Sequence, residues 1–90
     1  MKEFKKELVN HPSHYQMWKD RCGIEVLDIT RWMNNNDGNT TKYIMRAGHK
    51  VYDGKTLLQS SIIDHKKALV YLQDEIKRLE SLENSNTESR

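Results

Sequence analysis

One stretch of the sequence places hydrogen-bond donors at helical spacing. It covers residues 38–48, and five polar side chains in and just beyond it are Asn39, Lys42, Tyr43, Arg46 and Lys50. In an α-helix these five side chains fall within about 100° of one another. An amide, a phenol and three cations on one face favour binding of an anion, such as a phosphate group. The alternative interpretation is an ordinary solvent-facing helix surface.

Each of these residue types has a use in nucleotide recognition. Arg46 can grip two phosphate oxygens at once, and Lys42 lies one turn away as a compact positive charge. The amide of Asn39 can read a base edge or a ribose hydroxyl, and the ring of Tyr43 or Tyr15 can stack on a base. The predicted helix start after Gly38 adds free backbone N–H groups. These residues predict a site for a phosphorylated nucleotide.

Two histidines flank the single proline near the start of the chain. Pro12 disfavours helical backbone at His11, so the segment 9–15 is predicted to be an ordered His-Pro loop. His11, His14 and Cys22 invite a zinc site, but the set lacks further ligands, and we predict no metal site. Two roles stay open for the histidines: facing the ligand, or holding the loop together by hydrogen bonds.

Helices must position these side chains. Residues 24–33 are apolar at six positions, which predicts a mostly buried helix, although the β-branched content leaves a strand as an alternative. An Asn-rich break follows, and either Asp37 or Asn39 is predicted to cap the second helix. That helix runs to about Gly48, so Lys50 lies beyond its end.

The longest predicted helix covers about residues 57–82 and carries a regular apolar seam. Its members, spaced alternately by four and three residues, are Leu58, Ile62, His65, Leu69, Leu72, Ile76 and Leu79. This spacing predicts packing along a partner, which is the rest of the same chain, a symmetry mate, or some of both. His65 interrupts the seam, and we interpret it as a structural core or interface residue.

Other residues of the same helix are predicted to support the site. Asp64, Lys67 and Tyr71 lie about 100 to 180° from the seam. Asp64 is predicted to pair with Arg46 or to orient it. The alternative interpretation of Lys67 is a solvated side chain without a role at the site. The two tryptophans, Trp18 and Trp32, are assigned to the core or an interface, because so small a domain needs their area.

Length and composition limit the classes of protein. Ninety residues make one domain that buries only about 60% of its unfolded surface, so a homo-oligomer is predicted. A net charge of +2 does not favour a dedicated nucleic-acid binder. One cysteine excludes an internal disulfide, and the chain has no 18-residue apolar run, which predicts an intracellular protein without membrane association. We divide it into an N-terminal lead-in (1–8), one helical domain (9–82) and a disordered tail (83–90).

Four segments occur in fixed order along residues 9 to 80. They are Asn10-His-Pro-Ser-His-Tyr15; Gly23-Ile-Glu-Val-Leu-Asp28; Gly38-Asn39 with Lys42-Tyr43 and Arg46-Ala-Gly48; and Asp64 with Lys67-Ala68 and Tyr71-Leu72. Together they resemble the SaV-like domain, a family of small tailed-phage proteins of unassigned function. The family includes an early phage nucleotide kinase without a P-loop, so the resemblance implies a nucleotide-related role in the host cytoplasm. The chain departs from the family in the longer connection 51–61 and at His49, where a lysine is common.

The sequence therefore predicts an all-α fold, a small three-helix domain with a long C-terminal helix, and a nucleotide-binding function. A minimal nucleotide kinase would use ATP, but the chain has no P-loop, and only Glu25, Asp28 and Asp64 are candidates to hold a metal for phosphoryl transfer. The first alternative is a noncatalytic protein that sequesters a host-defence nucleotide signal. The second is a helical module that binds and inhibits a host protein.

Overall fold

The computed structural model describes residues 13–88, and their side chains as far as residue 85. This part contains four helices and no strand: α1 (Ser13–Cys22), α2 (Val26–Thr30), α3 (Asn35–Arg46) and α4 (Leu57–Glu88). The predicted all-α fold with a long C-terminal helix is confirmed, with four helices in place of three. The lead-in, His11 and the first part of the predicted His-Pro loop lie outside the described residues.

The segment that follows Pro12 is helical. Because α1 begins at Ser13, the prediction of a loop through Tyr15 is wrong for His14 and Tyr15. A proline is tolerated next to a helix start, since the first N–H groups of a helix have no intrahelical acceptor. The helix ends at Cys22, and the next residue, Gly23, has a φ of 69°, a left-handed conformation that favours glycine. α1 therefore carries His14 and Tyr15 on a rigid element.

The second helix is shorter and more exposed than predicted. α2 has five residues, and within it only Val26 and Thr30 are buried. Leu27 is 59% exposed and Trp32, just beyond the helix, is 86% exposed. The prediction of a mostly buried helix over 24–33 is therefore wrong, and Trp32 does not belong to the core of the chain. The apolar band of this segment is wider than the single face that the neighbouring helices cover.

The residue that caps the start of α3 is Asn34, which directly precedes the helix and is not one of the two predicted caps. The side-chain oxygen of Asn34 accepts a hydrogen bond of 2.8 Å from the backbone N–H of Asp37, so neither Asp37 nor Asn39 is the cap. The N–H of Gly38 donates to the carbonyl of Asn34 at 2.8 Å and is not free for a ligand. α3 ends at Arg46, and Gly48 has a φ of 84°, as expected for a glycine just past a helix.

The long helix begins with a reciprocal cap. Thr56 Oγ1 accepts from the N–H of Gln59 at 3.1 Å, while Gln59 Oε1 accepts from the N–H of Thr56 at 2.8 Å. α4 then continues to Glu88, so the predicted disordered tail is wrong over residues 83–88. Once a helix is nucleated, each added residue needs little further stabilisation, even without apolar contacts. No helix in residues 13–88 has the length and apolar character needed to cross a membrane.

α3 packs along α4, and α1 and α2 contact α3. The contact is tied at one end by Glu75 of α4, which is 5% exposed. Glu75 accepts from Asn34 Nδ2 at 3.0 Å and from Asn36 Nδ2 at 3.3 Å, and Arg78 holds both of its oxygens. These bonds hold the pKa of Glu75 at about 2. The apolar seam of α4 is not part of this contact, because its members are exposed and no other part of residues 13–88 covers them.

Candidate anion-binding site

A buried carboxylate organises the other end of the α3–α4 contact. Asp64 has no exposed surface, and its Oδ1 accepts from Arg46 Nε at 3.1 Å and from the Tyr52 hydroxyl at 2.6 Å. The Tyr52 hydroxyl in turn accepts from the Arg46 guanidinium and from Lys67 Nζ at 3.2 Å. The predicted pairing of Asp64 with Arg46 is confirmed. We call Tyr43, Arg46, Tyr52, Asp64 and Lys67 the Arg46 cluster.

Chain geometry explains why these side chains meet. Arg46 is the last residue of α3, and Asp64 lies two turns into α4. Between them the connection turns at Asp53-Gly54, where Gly54 has a φ of 74°. The connection is held against the start of α4 by the fully buried Ser60, whose Oγ accepts a hydrogen bond from the N–H of Tyr52 at 2.9 Å. The Tyr52 ring is thereby directed between the end of α3 and the start of α4.

Aromatic rings surround the guanidinium. The Arg46 Cζ lies 4.4 Å from the ring centroid of Tyr43 and 5.7 Å from that of Tyr52, within cation–π range. Tyr43 stacks on Tyr71 with centroids 5.8 Å apart and planes inclined by 14°. Lys67 Nζ lies 4.7 Å from the Tyr52 centroid and 5.5 Å from that of Tyr43. Arg46 is therefore held from several directions, and only 12% of its side chain is exposed.

Lysines add positive charge around this cluster. Lys50 lies past the end of α3, as predicted, yet its Nζ returns to within 4.7 Å of the Tyr52 centroid. Burial lowers the pKa of Lys50, and the charges of Arg46 and Lys67 lower it further. Lys42 is exposed on α3, one turn before Arg46. Arg46, Lys50 and Lys67 lie around one buried carboxylate, so the positive charges exceed the negative one by two.

α1 brings two further predicted residues to the same place. The pKa of His14 is lowered, first by burial and then by the charges of Arg46 and Lys50, with Lys42 acting in the same direction. The centroid of the His14 ring lies 4.4 Å from that of the Tyr15 ring. Burial raises the pKa of Tyr15, while the Arg46 guanidinium, which lies near the hydroxyl, opposes that shift. The Tyr15 hydroxyl is buried without a hydrogen-bond partner among the described residues, and so is Oδ2 of Asp64.

Two predicted side chains have structural partners. Asn39 Nδ2 donates to the Asn35 carbonyl at 2.9 Å and to Asn35 Oδ1 at 3.1 Å, so this amide is engaged within α3. Trp18 Nε1 donates to the Met45 carbonyl at 2.6 Å and ties α1 to α3. Sequence reasoning missed Tyr52. The signal for it was an aromatic residue placed directly before an Asp-Gly turn and close after the end of the cationic helix.

The three carboxylates proposed to hold a metal have other partners. Glu25 pairs with Lys19 at 3.7 Å, Asp28 pairs with Arg31 at 3.1 Å, and Asp64 belongs to the Arg46 cluster. Within residues 13–88 the structure brings together no group of three or more His, Cys, Asp or Glu side chains able to hold a metal ion. The role of Asp64 is therefore to accept hydrogen bonds from Arg46 and Tyr52 and to hold them in place.

Comparison of the chain with family models, curated proteins and solved structures gave no match. The resemblance to the SaV-like domain stays a prediction. The residues that carry it come from distant segments, yet many of them lie in or beside the Arg46 cluster. These are His14, Tyr15, Lys42, Tyr43, Arg46, Asp64, Lys67 and Tyr71.

Proposed function

We propose that this protein binds a phosphorylated nucleotide at the Arg46 cluster. The observation that carries the proposal is the surplus of positive charge gathered around one buried carboxylate, next to aromatic rings. A phosphate group supplies the compensating negative charge, and it accepts charge-assisted hydrogen bonds from ammonium and guanidinium groups. Burial is the largest cause of the lowered pKa of His14 and of Lys50, and the charge of Arg46 lowers both further.

The side chains divide into those that hold the site and those that bind. Asp64 and Tyr52 hold the Arg46 guanidinium in one place, which removes the entropic cost of ordering it when a ligand arrives. Lys42, Lys50 and Lys67 supply the ammonium groups that contact phosphate oxygens. Several such contacts act together, so the affinity depends on the charge of the phosphate group and on salt.

Histidine and tyrosine at the edge of the cluster complete the proposed site. His14 and Tyr15 on α1 flank the cations and offer a ring for the base and a hydroxyl for the sugar or phosphate. Tyr43 already contacts Arg46 and Tyr71, so its role is to support the guanidinium. His11 lies outside the described residues, so its role at the site stays a prediction.

Calorimetric titration tests binding directly. Mono-, di- and triphosphates of each nucleoside and cyclic nucleotides are titrated into the wild type, Lys67→Ala and the matched control Lys66→Ala. Lys66 is exposed and neighbours Lys67 in sequence, but it lies about 100° away around α4. We expect Lys67→Ala to weaken binding at least about tenfold, which is the effect of losing one charge-assisted contact. We expect Lys66→Ala to bind like the wild type.

Two results would count against the proposal. One is the absence of binding heat for every nucleotide at millimolar concentration. The other is equal loss of affinity in Lys66→Ala and Lys67→Ala, since that would reflect net charge and not the cluster. A third variant, Arg46→Lys, keeps the charge but loses the planar fork that joins Asp64 and Tyr52. We expect it to bind more weakly than Lys66→Ala.

A nucleotide site of this kind serves either phosphoryl transfer or sequestration, in a phage-encoded protein acting in the host cytoplasm. Incubation with ATP and each nucleoside monophosphate separates the two. Diphosphate formation above a protein-free control, lost in Arg46→Lys, indicates a minimal nucleotide kinase. Tight binding without diphosphate formation, strongest for a cyclic or signalling nucleotide, indicates a protein that sequesters a host-defence signal.

A further inference from the structure

The apolar seam of α4 forms an exposed ridge. Its apolar members are 43–72% exposed, and no described part of the chain covers them. They are Leu58, Ile62, Leu69, Leu72, Ile76 and Leu79, and His65 is exposed between them. We call these seven residues the α4 ridge. The ridge is about 32 Å long at 1.5 Å per helical residue.

The described part of the chain has very little apolar core. Among the described residues, Val26 and Ala68 are the only buried hydrophobic ones, whereas fifteen large apolar side chains are exposed. A domain that leaves so much apolar surface in water gains stability mainly by burying that surface against another chain.

The ridge and the intramolecular contact use different sides of α4. Ser60, Asp64, Ala68 and Glu75 are buried on the side that faces α3 and the connection before α4. At 100° per residue, the centre of the ridge lies about 105° further around the helix. A second chain can therefore pack on the ridge while α3 and the Arg46 cluster stay in place.

The ridge has the residue pattern of a two-stranded coiled coil. In heptad notation, the a positions are Ile62, Leu69 and Ile76. The d positions are Leu58, His65, Leu72 and Leu79. Isoleucine at a with leucine at d favours two strands. His65 is the one polar residue in this pattern, and a polar side chain in such an interface lowers the stability of pairing.

The available area agrees with pairing of two copies. Six large aliphatic side chains, each about half exposed, present on the order of 500 Å² of apolar surface per chain, at the upper end of what monomers expose. Flanking side chains such as Gln59, Lys66 and Gln73 bring the covered area towards the roughly 800 Å² per partner of a specific interface. We propose that two copies of this chain pair through the α4 ridge.

Sedimentation equilibrium of the full chain tests the pairing, using Leu69→Glu and the matched control Val70→Glu. Val70 is the next residue and is 63% exposed, but it lies outside the ridge. We expect the wild type at about 50 µM to have twice the chain mass of 10.7 kDa. Leu69→Glu buries a charge in the pair and should weaken pairing at least about 100-fold, while Val70→Glu should pair like the wild type.

A further variant keeps the test decisive if Leu69→Glu loses its helical circular dichroism. His65→Leu restores an apolar d position, and we expect it to pair at least about tenfold more tightly than the wild type. An unchanged or weaker association of His65→Leu contradicts the proposal. A single-chain mass for the wild type, or an assembly of any size that folded Leu69→Glu leaves intact, also overturns it. These measurements need no nucleotide, so their outcome is separate from that of the proposed binding function.

Discussion

Replacement of Tyr52 by phenylalanine removes one hydroxyl and keeps the ring. That hydroxyl donates to the buried Asp64 Oδ1 at 2.6 Å, and it accepts from the Arg46 guanidinium and from Lys67 at 3.2 Å. After the change, Asp64 retains Arg46 as its hydrogen-bond donor among the described residues, because its Oδ2 has no partner. The variant therefore isolates the contribution of the tyrosine hydroxyl to a buried charged group.

The expected loss of stability follows from the charge of Asp64 and from its burial. A hydrogen bond to a charged group contributes about 1.5–3 kcal/mol, and Asp64 has no exposed surface from which water could replace the lost donor. We expect Tyr52→Phe to lower the free energy of unfolding by about 2 kcal/mol. For a chain of this size that lowers Tm by roughly 8–16 °C.

Urea and thermal unfolding, followed by circular dichroism at 222 nm, measure the effect at one fixed protein concentration, since association of chains would add to stability. Tyr71→Phe is the matched control. Tyr71 stacks on Tyr43, and its hydroxyl forms no hydrogen bond within the described part of the chain. We expect this control to stay within about 0.5 kcal/mol of the wild type. A similarly small effect of Tyr52→Phe, or an equal loss in Tyr71→Phe, would refute the assigned role of the Tyr52 hydroxyl.

Three other predictions use the same unfolding assays. Glu75 has a folded pKa of about 2 against 4.5 when free, so its interaction with Arg78 stabilises fully above about pH 5 and is lost as the pH falls from 4.5 to 2. Glu75→Gln should reduce the decrease in urea midpoint over that interval, and an unchanged pH profile would contradict this. Thr56→Ala removes the reciprocal cap with Gln59 and should lower the free energy of unfolding by about 1 kcal/mol, which corresponds to a Tm lower by roughly 4–8 °C. An unchanged Tm would show that the cap contributes little to stability. Tyr15→Phe removes a buried hydroxyl without a hydrogen-bond partner, so the urea midpoint should stay equal or rise slightly, and a marked decrease would reveal a partner for that hydroxyl.

Residue type and spacing were sufficient for the features that depend on a few neighbouring residues. The end of α3 before Gly48 follows from the left-handed conformation that glycine adopts, and the long α4 follows from its periodicity. The pairing of Arg46 with Asp64 was also predictable, since a carboxylate in a helix next to a cationic helix face needs a partner. The capping box of Thr56 and Gln59 was readable in the sequence as well, although we did not predict it.

The tertiary structure alone decided which side of α4 meets α3. The periodicity of α4 indicated an apolar seam but did not indicate what packs against it. The side of α4 that packs on α3 is instead selected by hydrogen bonds, those of Glu75 with Asn34 and of Asp64 with Arg46. The place of Tyr52 was equally non-local, because it depends on how a ten-residue connection returns to Ser60. Sequence by itself determined the helical elements and the cationic residue types, since these depend on interactions within one or two turns. The structure decided the assembled cluster and the exposed ridge, since both depend on contacts between residues far apart in the chain.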